Sequence, residues 1–162
     1  MTRDRPTADP ADATDSGERG RQFLSFCIDG RTYGVDVADV REIRQWAPVT
    51  PLPERQLDTL GVLNLRGTIV SVLDLRVRFD APSPEPTPTN VVIIVEAAGR
   101  TTGLLVDTVC DILDVQEDEL SAVPAAAGLD RGTQCLRHIV ARDDGMVGIL
   151  DVAALTGDPV EA

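Results

Sequence analysis

The side chains best equipped for chemistry are few, and their spacing does not gather them. The one histidine, His138, lies in Leu136-Arg-His-Ile-Val140. It could act as a general base or phosphoacceptor, but an ordinary half-buried imidazole is the simpler reading. Asp107 and Asp111 are four apart, as are Asp114 and Asp118. In strand or loop context that spacing does not converge on a metal or a substrate, and the carboxylates read as a solvated face. Three cysteines, Cys27, Cys110 and Cys135, form no C-x-x-C unit and have one His to join them. Neither a zinc site nor a disulfide framework follows. Cys27 and Cys110 sit inside apolar strand-like runs and are expected in the core, as small hydrophobes. The chain has no Lys, which excludes the lysine-dependent phosphate loop, and G-x-S-x-G is missing too. Gly61 and Gly67 flank a turn, and Gly99 and Gly103 bracket a hairpin. These are backbone glycines rather than a phosphate cradle. No catalytic residue, cofactor or metal site is expected.

The elements that would carry these residues read as β. The 162 residues fit one domain or two small halves sharing a core. Hydrophobic residues make up 43% of the chain and aromatics 3%, so the interior must be built from Val, Leu, Ile and Ala, which suits small barrels or sandwiches. The net charge of −12 argues against phosphate-driven nucleic-acid binding and against docking on an anionic membrane. Its simplest meaning is solubility. The Met1 end has no apolar h-region and no run is long enough to cross a bilayer, so a cytoplasmic protein is expected.

Met1 to about Gly20 is poor in large apolar side chains and is expected to be a disordered tail, with a second short tail at 158–162. Residues 21–157 form the expected domain. Gln22 to Ile28 and Tyr33 to Val37 read as strands around an Asp29-Gly30 turn. Val37 to Ile43 is expected to form a short helical turn with Val40 and Ile43 on one side. Pro48, Pro51 and Pro53 punctuate a loop or edge strand. Ile69 to Leu75 reads as a buried strand, residues 81–89 as an extended Pro-rich loop, and Val91 to Val95 as a strand. Leu104 to Leu113 is a long or bent strand, Glu117 to Leu120 an acidic turn, and Met146 to Leu150 the last strand. Asp151 is placed to cap a final helical turn.

An internal repeat organises these pieces. Gly30-Arg-Thr-Tyr-Gly-Val-Asp-Val-Ala-Asp-Val-Arg-Glu-Ile43 aligns without a gap on Gly99-Arg-Thr-Thr-Gly-Leu-Leu-Val-Asp-Thr-Val-Cys-Asp-Ile112. A weaker echo sets Leu65-Arg66 and Val72-Leu-Asp-Leu75 against Leu136-Arg137 and Ile149-Leu-Asp-Val152. Two copies are too few for a solenoid, so duplication of a small barrel is implied, with the Pro-rich stretch between the copies. Neither half is large enough for a robust core alone.

The run Gly61-Val-Leu-Asn-Leu-Arg-Gly-Thr-Ile-Val-Ser-Val-Leu-Asp-Leu-Arg-Val-Arg-Phe79 resembles the hallmark of the CheW chemotaxis coupling family. Phe23-Leu-Ser-Phe26, Tyr33-Gly-Val-Asp-Val37, Val91 to Val95, Gly103-Leu-Leu-Val-Asp107 and Ile149-Leu-Asp-Val152 match as well, over about Gln22 to Leu155. The resemblance implies an all-β fold of two five-stranded SH3-like barrels on a shared hydrophobic core, with short helical turns. It implies a non-catalytic adaptor, monomeric when free, that joins the cytoplasmic tips of methyl-accepting chemoreceptors to the regulatory domain of the histidine kinase CheA. Such an adaptor would be recruited from the cytoplasm to membrane-associated receptor arrays, without inserting into the membrane.

Carried over position by position, the receptor-facing residues are Val40, Glu42, Ile43, Gly61, Asn64, Arg66, Val91, Val109 and Ile112, and the kinase-facing loop runs through Val49 and Leu52. Val40/Val109, Glu42/Asp111 and Ile43/Ile112 share columns of the repeat, which suggests a helix-binding groove walled by both copies. Arg66 can grip a carboxylate or helix-end carbonyls, or it can form an intramolecular surface ion pair. Val40 and Ile43 can face a partner or pack in the core. Ser71 replaces a family Pro, Gly148 interrupts an apolar strand, and His138 stands where a small residue is common. A CheW-fold module of another pathway (CheV-like or kinase-regulatory) and a small-ligand-binding or enzymatic acidic domain are the alternatives.

Overall fold

The computed structural model describes residues 20–53, 58–79, 81–123, 135–143 and 145–156. The tails expected at 1–20 and 158–162 lie outside them, Gly20 excepted. Ten strands run in order: β1 (Arg21–Ile28), β2 (Arg31–Asp36), β3 (Val40–Gln45), β4 (Thr59–Leu65), β5 (Thr68–Asp74), β6 (Val91–Ala97), β7 (Arg100–Val106), β8 (Thr108–Val115), β9 (Leu136–Arg142) and β10 (Gly145–Leu150). Short helices α1 (Leu75–Arg78) and α2 (Val152–Thr156) follow β5 and β10. The β1–β2 turn has Asp29 and Gly30 at positive φ, 53° and 78°, and the β6–β7 turn repeats this with Ala98 and Gly99. Two residues at positive φ are what a tight hairpin needs to follow the right-handed twist of its strands.

The strands form two five-stranded sheets, in order β8-β1-β2-β10-β9 and β3-β6-β7-β5-β4. In the repeat, β1 to β5 correspond to β6 to β10. Each sheet therefore takes its first two strands from one copy and the remaining three from the other. The exchange is made through parallel pairs, β2 with β10 and β5 with β7. Each sheet is closed by a bridge from the chain beyond its first strand to its last: Thr50 to Val62 after β3, and Ser121 to Ile139 after β8. The result is two SH3-like barrels, mainly β, each incomplete without the other copy.

Burial follows from the two faces of the strands. One barrel interior holds Leu65, Val70, Val72, Val92, Ile94 and Leu105; the other holds Phe23, Val115, Val140, Val147 and Ile149. Between them lies a shared layer that includes Leu24, Phe26, Ile28, Ile93, Val95, Leu104, Val106 and Leu155. Strands β1 and β6 are covered on both faces, which is why they read as near-continuous apolar runs. Burying each of these large side chains contributes roughly 1.5–3 kcal/mol, so the layer binds the halves firmly.

Four expectations change. Only Val37–Asp39 is helical, as a 3-10 turn; Val40 to Gln45 is strand β3. A bulge between Val40 and Glu42 sets Val40 opposite Val95 and Ile43 opposite Ile93, so two residues three apart share a face without a helix. The long or bent strand from Leu104 is two strands, β7 and β8, broken at Asp107 and lying in different sheets. In the hairpin registers, Val62 faces Ser71 as Ile139 faces Gly148, and Gly61 faces Val72 as His138 faces Ile149. The echo is thus shifted: Gly61 matches His138, Leu65 matches Arg142, and Arg66 matches Asp143. Finally, Cys110 is exposed and Cys27 half-buried, whereas Cys135 is the buried thiol. The bulge in β8 and the open rim of its barrel keep the first two out of the core.

Candidate interaction surface

The β4–β5 turn places the central cation. Arg66 and Gly67 both have positive φ, 51° and 90°, and the Gly67 N–H donates to Asn64 Oδ1 at 2.7 Å. Asn64 thereby fixes the turn, and the Arg66 side chain projects from its tip. Its guanidinium Nη2 donates to Glu42 Oε1 on β3 at 2.7 Å while remaining 74% exposed. The hydrogen bond from Arg66 holds the Glu42 carboxyl below its ordinary pKa, and burial opposes this. Arg44 stands 3.9 Å from the other carboxylate oxygen. Beside this group runs an open groove of ≈ 260 Å³ whose lining includes Arg44, Val49, Thr50, Val62, Asn64 and Val92.

Gly61 lies beneath that groove. A side chain there would collide with the Thr50 carbonyl and press on Val49, and Thr50 is the residue whose two backbone hydrogen bonds to Val62 (2.9 and 2.8 Å) close the barrel. Gly61 is therefore required by the backbone. Val49 packs against the barrel interior, and Leu52 is exposed.

The remaining residues divide by burial. Val40, Val91 and Val109 all pack against the shared layer, and Ile43 and Ile112 are exposed at 47% and 54%. Val109 and Ile112 belong to β8, the edge strand of the other sheet. The structure thus joins Glu42, Asn64 and Arg66 in one polar group, places Gly61 under the adjoining groove, and presents Ile43 on the same strand as Glu42.

Two exposed hydrophobes went unmarked in the sequence: Ile69 at 64% and Met146 at 67%. They occupy one column of the repeat under the corrected register. Ile69 lay hidden in a run read as wholly buried, although Val70 and Val72 set the inward phase and Ile69, one residue before Val70, falls with Ser71 on the outward one. His138 is half-buried with Nδ1 unpartnered. Burial lowers its pKa first, then the nearby Arg21 and Arg137 charges, against Glu117. Among the described residues no His/Cys/Asp/Glu group could hold a metal, and no helix is long and apolar enough to cross a membrane.

Two interlocked five-stranded barrels, with a polar group and exposed apolar residues on their surface, define a double β-barrel protein. Residues 22–159 match the family model of the CheW-like domain. The chain is 34% identical to the chemotaxis protein CheW of Rhizobium meliloti (strain 1021) over 133 residues, 82% of this chain and 85% of that one. It is 29% identical to the chemotaxis protein CheW of Bacillus subtilis (strain 168) over 136 residues, 84% and 86% of the two chains. The crystal structure of the scaffolding protein TtCheW from Thermoanaerobacter tengcongensis superposes with a TM-score of 0.75 at 30% identity, covering 81% of this chain and 88% of that one. The chain belongs to the CheW-like family, a family of non-catalytic chemotaxis scaffolds.

Proposed function

We propose that this scaffold couples the cytoplasmic tips of methyl-accepting chemoreceptors to the regulatory domain of the kinase CheA, in arrays at the membrane. The observation that carries the reading is the Arg66 guanidinium, held at the rim by Glu42 and still mostly exposed. A guanidinium held in place by one carboxylate retains free N–H donors for a second acceptor, such as a carboxylate or helix-end carbonyl on a receptor helix. The apolar contacts are assigned to Ile43 and Val40, on the face of β3 opposite to Glu42, with Val91 in the same sheet and Val109 and Ile112 in the other. The loop of Val49 and Leu52 is the proposed kinase contact, through exposed Leu52. Small interfaces of this kind become effective when many act together in an array.

The test is kinase autophosphorylation with receptor membranes, with and without this protein. Stimulation is expected with the parent chain, and its absence with every receptor of the host would overturn the reading. Arg66→Glu is expected to weaken receptor co-sedimentation by about tenfold or more with the fold intact. The charge-swapped pair Glu42→Arg with Arg66→Glu restores the internal ion pair but leaves the receptor facing the wrong charge. Recovery of coupling in that double variant would show that Arg66 serves only the internal pair.

A further inference from the structure

We propose that Cys27 and Cys110 are a redox-responsive dithiol that closes to a reversible disulfide between β1 and β8. The two sulfurs lie 3.2 Å apart, although the residues are 83 apart in sequence. They come from neighbouring strands: Phe26 faces Val109 and Cys27 faces Thr108 across the β1–β8 ladder. Cys110 follows Val109 at the bulge, where the register shifts between Leu24 and Phe26. There the Ser25 hydroxyl both donates to the Asp111 carbonyl and accepts from the Asp111 N–H. A side chain thus stands in for part of the backbone ladder beside Cys110. A bulge is where a strand pair can adjust its spacing at least disturbance to its neighbours. The sulfurs need to approach from 3.2 Å to the roughly 2.05 Å of a disulfide bond, which side-chain rotation with a small shift at the bulge can supply.

Access favours a reversible role. Cys110 is exposed and Cys27 half-buried, and the third thiol, Cys135, is buried. A dithiol open to small molecules in a reducing compartment acts as a sensor rather than a staple. With a low-molecular-weight disulfide as oxidant, one protein thiolate attacks it and releases one small thiol. The second protein sulfur then displaces the remaining half and releases another. Two protein thiols and one small disulfide give one protein disulfide and two small thiols, so electrons and protons balance. Burial first, then the hydrogen bond with Cys27, pushes Cys110 up to about 11, so exchange is expected to quicken from neutral to mildly alkaline pH. The bond would pin β8, which carries Val109 and Ile112, to β1.

The experiment treats the folded full chain with oxidised glutathione, then reads intact mass and non-reduced peptide maps. Loss of two hydrogens, a single Cys27–Cys110 cross-linked peptide, and reversal by dithiothreitol are expected, with a rise of several degrees in Tm. Cys27→Ser and Cys110→Ser are each expected to abolish the cross-link and to leave a persistent glutathione adduct or none, while Cys135→Ser leaves it intact. Stable glutathione adducts on both cysteines of the parent chain, a bond to Cys135, or an unchanged mass would overturn the proposal.

Discussion

Replacing Asp58 with Cys should destabilise the protein through one guanidinium at the seam between the two copies. Asp58 Oδ2 accepts from Arg78 Nε at 2.8 Å, with side-chain exposures of 2% and 16%. Arg78 also reaches Cys135 Sγ at 3.4 Å and the Leu155 carbonyl at 3.5 Å, so α1 and α2 meet through it. Under the repeat, Asp58 corresponds to Cys135 and Arg78 to Leu155. The match is seen in the backbone, where Asp74 N–H donates to Asp58 O as Asp151 N–H donates to Cys135 O. Removing one partner of a buried ion pair costs about 3–5 kcal/mol. The residual exposure of Arg78 favours the lower end, about 3 kcal/mol. With a urea slope of about 2 kcal/mol per M, the midpoint should fall by about 1.5 M. The double variant Asp58→Cys with Arg78→Leu copies the apolar arrangement already used by the second half, and should recover most of the loss. Urea unfolding under reducing conditions measures both. A single variant within about 0.5 kcal/mol of the parent, or a double variant no better than the single, would refute the reasoning.

Three further substitutions probe the barrels. Gly61→Ala should cost at least about 2 kcal/mol, because the new methyl meets the Thr50 carbonyl. Gly67→Ala, whose methyl would meet open space at φ 90°, should cost about 1 kcal/mol, and equal losses would refute the closure argument. His138 has a folded pKa below its ordinary 6.5, so the folded state binds its proton less readily than the unfolded chain. Its contribution is full above 6.5 and falls as pH drops from there toward the folded value. Thermal unfolding of His138→Gln across this window should therefore show a shallower acid loss than the parent, and identical profiles would exclude the effect.

Much of this architecture is legible in the sequence because the duplication is written in it. Gly30-Arg-Thr and Gly99-Arg-Thr mark equivalent hairpins, each turn needing a residue free to take positive φ. Of the strands covered on both faces, β6 announces itself as the unbroken apolar run Val91 to Val95, whereas β1 is interrupted by Ser25. What misleads is the bulge. In β3 and in β8 an extra residue puts Val40 with Ile43, and Val109 with Ile112, at helical spacing on a flat strand, so periodicity alone reports a helix. The Glu42–Arg66 pair is invisible for a different reason. The residues are 24 apart and meet because closure brings the tip of the β4–β5 hairpin to β3, the strand at the opposite end of the sheet order, a fact of closure rather than of pattern. The cysteines are misread because apolar neighbours in sequence say nothing about which end of a barrel a strand side faces.

The corrected register also explains why two rims built to one plan need not do the same work. Ile43 and Ile69 have exposed counterparts in Ile112 and Met146, so both rims keep their apolar residues. The charges have diverged. Where the first copy opposes Glu42 to Arg66, the second has Asp111 and Asp143, two like charges that cannot form the pair and would repel if brought to the same distance. Asn64, which fixes the first turn, corresponds to Ala141. Under the proposed function, a partner helix that presents an acceptor would find a pre-positioned cation at Arg66 and, at the equivalent positions of the second copy, the carboxylates of Asp111 and Asp143. Apolar contact alone would leave a duplicated scaffold two equivalent ways to be held. Placing favourable charge on one copy and repulsive charge on its twin removes that ambiguity, since specificity is the difference between the two bound arrangements. On that proposal the Glu42–Arg66 pair would matter less for stability than for giving a pseudo-symmetric protein a side.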